Sequence, residues 1–388
     1  MKTTINILGS TGSIGSTSLK IIDKKKNLFK INTLTANSNY KKIYYQIKKF
    51  KPKNFVVMNK IVFDKLIKQK TGNTKIYYTY KNIKFKKKND ITIVAIPGIS
   101  GLEPTIKFLK FSKKILLANK ESIICGWNII KKIAKKYKTK IIPLDSEHFS
   151  IRDLTENYKD KDIDKIYITA SGGPFLNLKK SKFKLIKIKE ALKHPKWSMG
   201  KKISIDSATL MNKILELLEA QKLFLFNKDK YKIIIHPQSL IHAIVMFKNG
   251  TTKFLYHETS MMIPIANAIF DSKININEFI KYKKKDKNEF SKLVFQDIDE
   301  NKFPAIKLIP LLNKYTSTPI IINAANEILV DQFLAKKISF NSIIDILFSV
   351  LKDKDYKKYA IKTATNLKTI YLIDKWTRDT TLKIIRKN

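Results

Sequence analysis

The segment Asp145-Ser146-Glu147-His148 sets two carboxylates two residues apart, directly after a β-rich run from Lys140 to Leu144. In extended backbone, residues two apart share a face, so Asp145 and Glu147 are expected to converge at the C-terminal edge of a sheet, where open α/β folds bind ligands. Two like charges held together call for a cation. A third oxygen ligand is available on a helix expected from Ala208 to Phe226, where Asn212 and Glu216 are four apart and Lys213 and Glu216 three apart. That helix is otherwise apolar through Leu210, Ile214, Leu217 and Leu218. Ligation by carboxylates alone selects Mg²⁺ or Mn²⁺ over zinc. From spacing alone, surface carboxylates and an ordinary Lys213–Glu216 pair account for the same residues equally well.

A second chemistry-bearing segment lies near the start. The run Thr4 to Leu8 leads into Gly9-Ser10-Thr11-Gly12-Ser13-Ile14-Gly15 and then a helix. Glycines in such a turn let the backbone approach a pyrophosphate, whose charge the first N–H groups and the helix dipole receive. The spacing is GxxGxxG rather than GxGxxG, but strand, turn and helix stand in the required order. An NAD site usually ends its second strand with an acidic residue that binds the ribose 2′-hydroxyl. Here that strand ends Ala36-Asn37-Ser38-Asn39, followed by Lys41 and Lys42 and no carboxylate, which favours NADPH.

Three further segments could hold a phosphorylated substrate. Thr169-Ala170-Ser171-Gly172-Gly173-Pro174 offers a hydroxyl and backbone N–H groups, as a phosphate site or a plain turn would. His194-Pro195-Lys196-Trp197-Ser198-Met199-Gly200 combines an imidazole, an exposed-looking indole and a terminal glycine, as a lid would. Ser207 reads equally as a helix N-cap; together with Ser171, Asn212 and Lys213 it makes a phosphate clamp.

Elements must position these residues. Only 11 of 388 residues are glycine, and they cluster after runs that read as strands: Ile5 to Leu8, Ile91 to Ile96 and Ile166 to Thr169. Up to Asp145, β-rich runs at 31–36, 54–58, 91–96, 114–118 and 140–144 alternate with helical ones, including 16–25 and 126–137. This is the pattern of a Rossmann-like doubly wound parallel sheet, expected to form a cofactor-binding domain over 1–145. Residues 146–271 read as an α+β catalytic domain, 272–302 as a lysine-rich connector, and 303–388 as a helical C-terminal domain with apolar periods at 323–335 and 340–351.

Composition bounds the function class. The formal charge is +45, yet of 77 basic residues only Arg152, Arg378 and Arg386 are arginines, and the lysines are spread along the chain. A nucleic-acid protein concentrates charge and favours the bidentate guanidinium. The Ile-, Asn- and Lys-rich bias reads instead as compositional drift over tolerant surface, and no nucleic-acid partner is expected. The single cysteine, Cys125, excludes an internal disulfide and suits a reducing compartment. No apolar run reaches the roughly 18 residues of a membrane span. With a strand at the very start and no signal segment ahead of it, the expected location is cytoplasmic.

Read in order, the segments 9–15, Leu-Leu-Ala-Asn-Lys-Glu-Ser (116–122), Leu-Asp-Ser-Glu-His (144–148), Ser-Gly-Gly-Pro-Phe (171–175), 194–200, Asp-Ser-Ala-Thr-Leu-Met-Asn-Lys (206–213), His-Pro-Gln-Ser-Leu-Ile-His (236–242) and Asn-Ala-Ala-Asn-Glu (323–327) resemble the 1-deoxy-D-xylulose 5-phosphate reductoisomerase family over essentially the full length. The resemblance implies a homodimeric enzyme using NADPH and Mg²⁺ or Mn²⁺. It would convert 1-deoxy-D-xylulose 5-phosphate into 2-C-methyl-D-erythritol 4-phosphate by retro-aldol cleavage, aldol rejoining and hydride reduction. By motif match, Asp145, Glu147 and Glu216 are the metal ligands. Lys120 approaches the same substrate oxygens, and Ser146 hydrogen-bonds the substrate. Ser171, Ser207, Asn212 and Lys213 hold the phosphate, with His194 nearby and Trp197 and Met199 in a closing lid. Thr11, Gly12, Ser13, Ile14, Asn39, Asn119, Glu121 and Gly200 match cofactor positions. His148, His236 and His242 lie in family motifs without an assigned step.

Two departures stand out. The family commonly has Gly-Lys-Asn where this chain has Asn37-Ser38-Asn39, so a lysine facing the 2′-phosphate is missing unless Lys41 or Lys42 takes over. After Ser-Glu-His the chain continues Phe149-Ser150-Ile151-Arg152 in place of the usual Asn-Ala. The competing readings are a NADP-dependent oxidoreductase of another phosphorylated hydroxy-carbonyl compound and a basic nucleic-acid-binding protein.

Overall fold

A computed structural model describes residues 1–83, 85, 87–280 and 292–387. Its strands are β1 (Thr3–Leu8), β2 (Phe29–Ala36), β3 (Asn54–Val57), β4 (Lys75–Tyr77), β5 (Asn89–Val94), β6 (Ser112–Leu117), β7 (Lys140–Pro143), β8 (Ile163–Ala170), β9 (Tyr231–Ile235), β10 (Ile241–Phe247) and β11 (Thr252–Tyr256). The helices are α1 (Ser13–Lys24), α2 (Tyr40–Phe50), α3 (Lys60–Ile67), α4 (Leu102–Leu109), α5 (Lys120–Lys136), α6 (Ser146–Thr155), α7 (Ile188–Ala191), α8 (Lys201–Ala208), α9 (Met211–Leu223), α10 (Met262–Phe270), α11 (Thr318–Leu334), α12 (Ser342–Leu351), α13 (Tyr356–Ala360) and α14 (Leu367–Lys387).

The last four residues of β1, all of β3 and the last four of β5 are buried in succession. Successive rather than alternate burial means that both faces are covered, the condition under which an all-parallel sheet persists. Seven strands pair in the order β4-β3-β2-β1-β5-β6-β7, every pair parallel. The strand order reverses between β1 and β5, so the crevice beyond their C-terminal ends is the topological switch point of a doubly wound sheet. The expected α/β class is therefore present.

By packing the chain forms two compact units. The first gathers Met1–Ser122, Ile129–Asp145 and a return segment beginning at Met261; the second contains 146–260 and the C-terminal helices. In the first, Ile265 and Ile269 of α10 share the core of Ile5, Ile21, Leu34 and Ile93, and Phe270 meets Phe29 edge-on at 5.6 Å. The division read from the sequence puts residues 261–271 with the catalytic part instead. Their apolar run marks a buried helix without saying which core buries it. Of the connector, residues 281–291 lie outside the described residues.

The second unit has a mixed sheet ordered β11-β10-β8-β9, with β8 and β9 parallel and the other pairs antiparallel. Its C-terminal helices centre on α11, buried without interruption from Thr318 to Asn326, as a helix surrounded by others must be.

Two expectations near the site need correction. Glu147 does not lie in extended backbone, because α6 begins at Ser146 and places Glu147 in its first turn. The helix expected from Ala208 to Phe226 is shorter, α9 alone from Met211 to Leu223; Ala208 is instead the last residue of α8, and the two helices part at Leu210 in the left-handed region (φ 67°). Apolar periodicity continues through the break and conceals it. Ser207 consequently sits in the last turn of α8 and is no N-cap.

Backbone crowding separates the glycines of the first turn. A Cβ on Gly15 would lie 2.3 Å from the Gly9 carbonyl oxygen, whereas one on Gly12 would stand 3.5 Å from it. Gly15→Ala is expected to destabilise the fold by about 2 kcal/mol and Gly12→Ala by no more than about 0.5 kcal/mol. Urea denaturation midpoints of the two variants check this; equal midpoints would refute it.

Candidate active site

In the first unit, the glycine turn after β1 is held from beneath. Gly9 N–H donates to the Thr35 carbonyl at 3.0 Å, and Ser10 Oγ donates to Gln46 Oε1 at 2.7 Å. The Gln46 amide returns a bond of 2.9 Å to the Ser10 carbonyl. Thr11 and Ile14 are half-buried above this anchor, and Gly12 and Ser13 are exposed. Gly12 precedes α1 without a side chain to cap it, so the first N–H groups of that helix face outward at its positive end. Gln46 was not legible as functional: it shares the buried face of α2 with Ile43 and Ile47, where a polar residue is the only signal.

The segment after β2, Asn37 to Asn39, is exposed. Asn39 Oδ1 caps α2 by accepting from Lys42 N–H at 3.1 Å, and Lys42 Nζ donates to the Thr11 carbonyl at 3.3 Å. Lys42 therefore places a cation against the glycine turn. At the other side of the switch point, Asn119 Nδ2 donates to the carbonyls of Ile96 at 2.6 Å and Gly98 at 2.9 Å, and to Glu121 Oε2 at 3.1 Å. Its Oδ1 accepts from Ser122 N–H. Asn119 and Glu121 thus fasten the loop after β5 to the start of α5. Lys120, buried beside them, has Nζ 3.4 Å from Asp145 Oδ2.

In the second unit, the Lys213 ammonium lies between two glutamates: it donates to Glu147 Oε1 and stands 2.5 Å from Glu216 Oε2. Ser146 Oγ donates to the other Glu147 oxygen at 2.5 Å, and Asn212 Nδ2 donates to Glu216 Oε1. Asp145, the last residue of the Ile129–Asp145 stretch of the first unit, is joined to Glu147 through one residue, and Glu147 and Glu216 share the Lys213 ammonium. An all-oxygen set of this kind fits a hard divalent cation. The Lys213 ammonium bridges two of its members and offsets part of their negative charge.

Ser171, Gly172, Ser207, Asn212 and Lys213 line one small cleft. Gly173 permits it: at φ 65° its hydrogen faces the Ser207 carbonyl, where a Cβ would come within 2.8 Å. His194 Nδ1 accepts from the N–H groups of Lys196 at 3.1 Å and Trp197 at 2.8 Å, which assigns the ring proton to Nε2. Nε2 donates to Ser171 Oγ at 2.9 Å, and Gly173 N–H donates to the same oxygen at 3.1 Å. With both acceptor positions filled, the Ser171 hydroxyl proton is left to donate to an anion. Burial, with the Lys213 charge adding to it, pushes the His194 pKa down to about 4.

The segment 194–200 has no regular secondary structure. Trp197 is half-buried rather than exposed, its indole edge-on to His242 at 5.9 Å. Met199 is half-buried, and Gly200 is exposed at the start of α8. The three motif histidines without a step all donate to main chain: His148 Nε2 to Glu216 O at 2.9 Å, His236 Nδ1 to Val294 O at 2.9 Å, and His242 Nε2 to His257 O at 3.2 Å. His148 also has Nδ1 3.4 Å from the buried Glu219, which no motif or spacing singles out. Among the described residues no helix is long and apolar enough to cross a membrane.

Comparison with known proteins adds an independent finding. Residues 5–126 match the model of 1-deoxy-D-xylulose 5-phosphate reductoisomerase, residues 141–224 that of its C-terminal domain, and residues 257–380 that of the DXP reductoisomerase C-terminal domain. The reductoisomerase of Pelagibacter ubique is 46% identical over 374 residues, covering 94% of this chain and 95% of its own. That of Wolbachia pipientis wMel is 38% identical, covering 90% of each. A crystal structure of DOX-P reductoisomerase in complex with NADPH, fosmidomycin and magnesium superimposes with a TM-score of 0.92 at 33% identity, over 99% of this chain and 98% of that one. The Zymomonas mobilis enzyme in complex with NADPH gives 0.88 at 29% identity, over 99% of each.

The lowered pKa of His194 fixes a sign. The unfolded chain takes up its proton near pH 6.5 and the folded one only near 4, so the neutral ring stabilises the fold above pH 6.5. That contribution falls away as the pH drops toward 4. A ring-proton NMR titration should give His194 a midpoint near 4, and His194→Gln should flatten the fall in stability across this window. A midpoint at 6.5 would refute the burial argument.

Proposed function

The chain belongs to the 1-deoxy-D-xylulose 5-phosphate reductoisomerase family, and from that premise we propose how its own residues carry the reaction. The activity is the NADPH-dependent rearrangement and reduction of 1-deoxy-D-xylulose 5-phosphate to 2-C-methyl-D-erythritol 4-phosphate, a metal-requiring step toward isoprenoid precursors. The observation that carries the assignment of residues is the place of Lys213: it lines the cleft with Ser171, Ser207 and Asn212 and also bridges Glu147 and Glu216. A phosphate group held in the cleft thus comes next to the carboxylate cluster.

In this reading Asp145, Glu147 and Glu216 would hold Mg²⁺ or Mn²⁺, which supplies Lewis-acid polarisation of the substrate's carbonyl and hydroxyl oxygens. Lys120 contributes a second positive charge directed at those oxygens, and Ser146 a hydrogen bond. The Ser171 hydroxyl, oriented by neutral His194, donates to the phosphate with Ser207 and Asn212, while the Lys213 ammonium opposes its charge. Trp197 and Met199 belong to the segment that closes over the substrate and excludes water.

NADPH supplies the hydride, and residues 1–145 would bind it. The N–H groups of Ser13 and Ile14 at the start of α1, with Thr11 and Gly12 beside them, suit its pyrophosphate. Gly12, which the fold does not need as glycine, suits close approach by that group. Asn39, Asn119, Glu121 and Gly200 complete the cofactor positions. Lys42, fixed against the Thr11 carbonyl, takes the place of the lysine absent at Ser38 in facing the 2′-phosphate. Residues 146–260, with Asp145 and Lys120, would bind metal and substrate, and 303–388 would buttress them. The working form is a homodimer, a reading helped by β11, an edge strand whose Phe254 is half exposed. The single buried thiol, Cys125, suits the cytoplasm.

Purified protein with 1-deoxy-D-xylulose 5-phosphate, NADPH and Mg²⁺ or Mn²⁺ should lose the absorbance of the reduced nicotinamide, and a chelator should stop it. Glu216→Gln should lower turnover by about a hundredfold or more with NADPH affinity unchanged; full activity would remove Glu216 from the metal site. Gly12→Ala, expected to fold normally, should weaken NADPH by at least about tenfold. Unaltered affinity by fluorescence titration would refute the assignment of the turn.

A further inference from the structure

The C-terminal helices hold none of the residues assigned above, yet one of them reaches the helix that bears Ser207. Asn326 of α11 donates through Nδ2 to Asp206 Oδ1 on α8 at 2.8 Å, across 120 residues of sequence. Both side chains are buried, at 0% and 1% exposure. The other carboxylate oxygen, Asp206 Oδ2, lies 2.9 Å from Lys202 Nζ one turn earlier on α8. A carboxylate removed from water is tolerated only where its partners are in reach, so this pair fixes both the rotation and the height of α8 against α11.

That placement matters because of what α8 adjoins. It starts directly after Gly200, with no side-chain cap, and ends in the turn carrying Ser207. Ser207 is the next residue after Asp206, and its carbonyl faces Gly173 in a space too narrow for a Cβ. Helix α11 is itself braced: Asn323 Nδ2 donates to Glu327 Oε1 at 3.2 Å, Glu327 pairs with Arg378 of α14, and Arg378 Nε donates to Asp374 Oδ2 at 2.7 Å. Two polar contacts therefore tie α11, one to α14 through Glu327 and one to α8 through Asn326.

We propose that Asn326 and Asp206 are positioning residues for the substrate phosphate, through which the C-terminal helices set the geometry of the cleft between Ser207 and Ser171. The proposal rests on the assignment of Ser171, Ser207, Asn212 and Lys213 to that phosphate. It assigns the Asn-Ala-Ala-Asn-Glu segment a role in substrate affinity rather than in the fold alone.

The test compares Asn326→Leu with Ser207→Ala in the full-length enzyme. Asn326→Leu should raise the KM for 1-deoxy-D-xylulose 5-phosphate about tenfold, with kcat within about twofold and the Kd of NADPH unchanged. A merely structural role would lower the melting temperature and leave KM alone. If Ser207→Ala raises KM and folded Asn326→Leu does not, the proposal falls while the clamp assignment stands. If Ser207→Ala leaves KM unchanged, the clamp assignment falls instead. Should Asn326→Leu not fold, hydrogen exchange on the wild-type enzyme decides: added inorganic phosphate should slow exchange in 201–208 and in 323–327. Protection confined to 171–173 and 207–213 would overturn the proposal.

Discussion

The structure around the site depends on an ammonium group held away from water between two carboxylates. Lys213, Glu147 and Glu216 are all buried, and none of the three charges is tolerable there without the others. This requirement sets much of the surrounding architecture. Glu147 must sit in the first turn of α6, where Ser146 can bond it, and α9 must present Lys213 and Glu216 on one side, three residues apart. The break at Leu210 gives α9 a start independent of α8, so the helix that carries the charges is not forced to continue the direction of the helix that carries Ser207. Left-handed backbone at a leucine costs about 1–2 kcal/mol, and full burial of its side chain offsets that cost.

The cofactor end obeys a different constraint. There the determining groups are main-chain N–H donors at the end of β1, and their usefulness depends on the turn being rigid. Rigidity comes from reciprocal bonds between Ser10 and Gln46 and from the Thr35 carbonyl below. Charged side chains play a smaller part. Among the lysines of the described residues, Lys42 is the one tied to this turn, which puts the high net charge in proportion: the general excess assists the encounter with anionic ligands, while recognition rests on a few fixed groups.

Much of this was legible in the residues. The alternation of strands and helices, the glycine turn and the order of motifs follow from local pattern, because period, turn chemistry and residue type act over short spans, whereas the carboxylate set came from the family resemblance and not from spacing. What escaped was set by long-range packing. Glu147 reads as extended only while the helix start at Ser146 is unknown, and the apolar rhythm of 208–226 runs unbroken across the left-handed Leu210. Gln46, Glu219, Asp206 and Asn326 look like ordinary polar residues in helices. Their roles come from burial against partners far away in sequence, which no spacing rule encodes. The place of α10 was hidden for the same reason, since an apolar helix fits any core that lacks one.

That place of α10 has a consequence for how the protein is made. The first seven strands leave the ribosome before residue 145, but the core they form includes Ile265, Ile269 and Phe279. Until those residues emerge, more than a hundred positions later in the chain, α1 and α2 cover only part of that core and the place of α10 stays open. The first unit therefore cannot finish folding in the order of synthesis and must wait as an incomplete, aggregation-exposed intermediate while the second sheet is translated. A chain that looks like an orderly succession of domains in sequence is, for the ribosome and its chaperones, a single late closure.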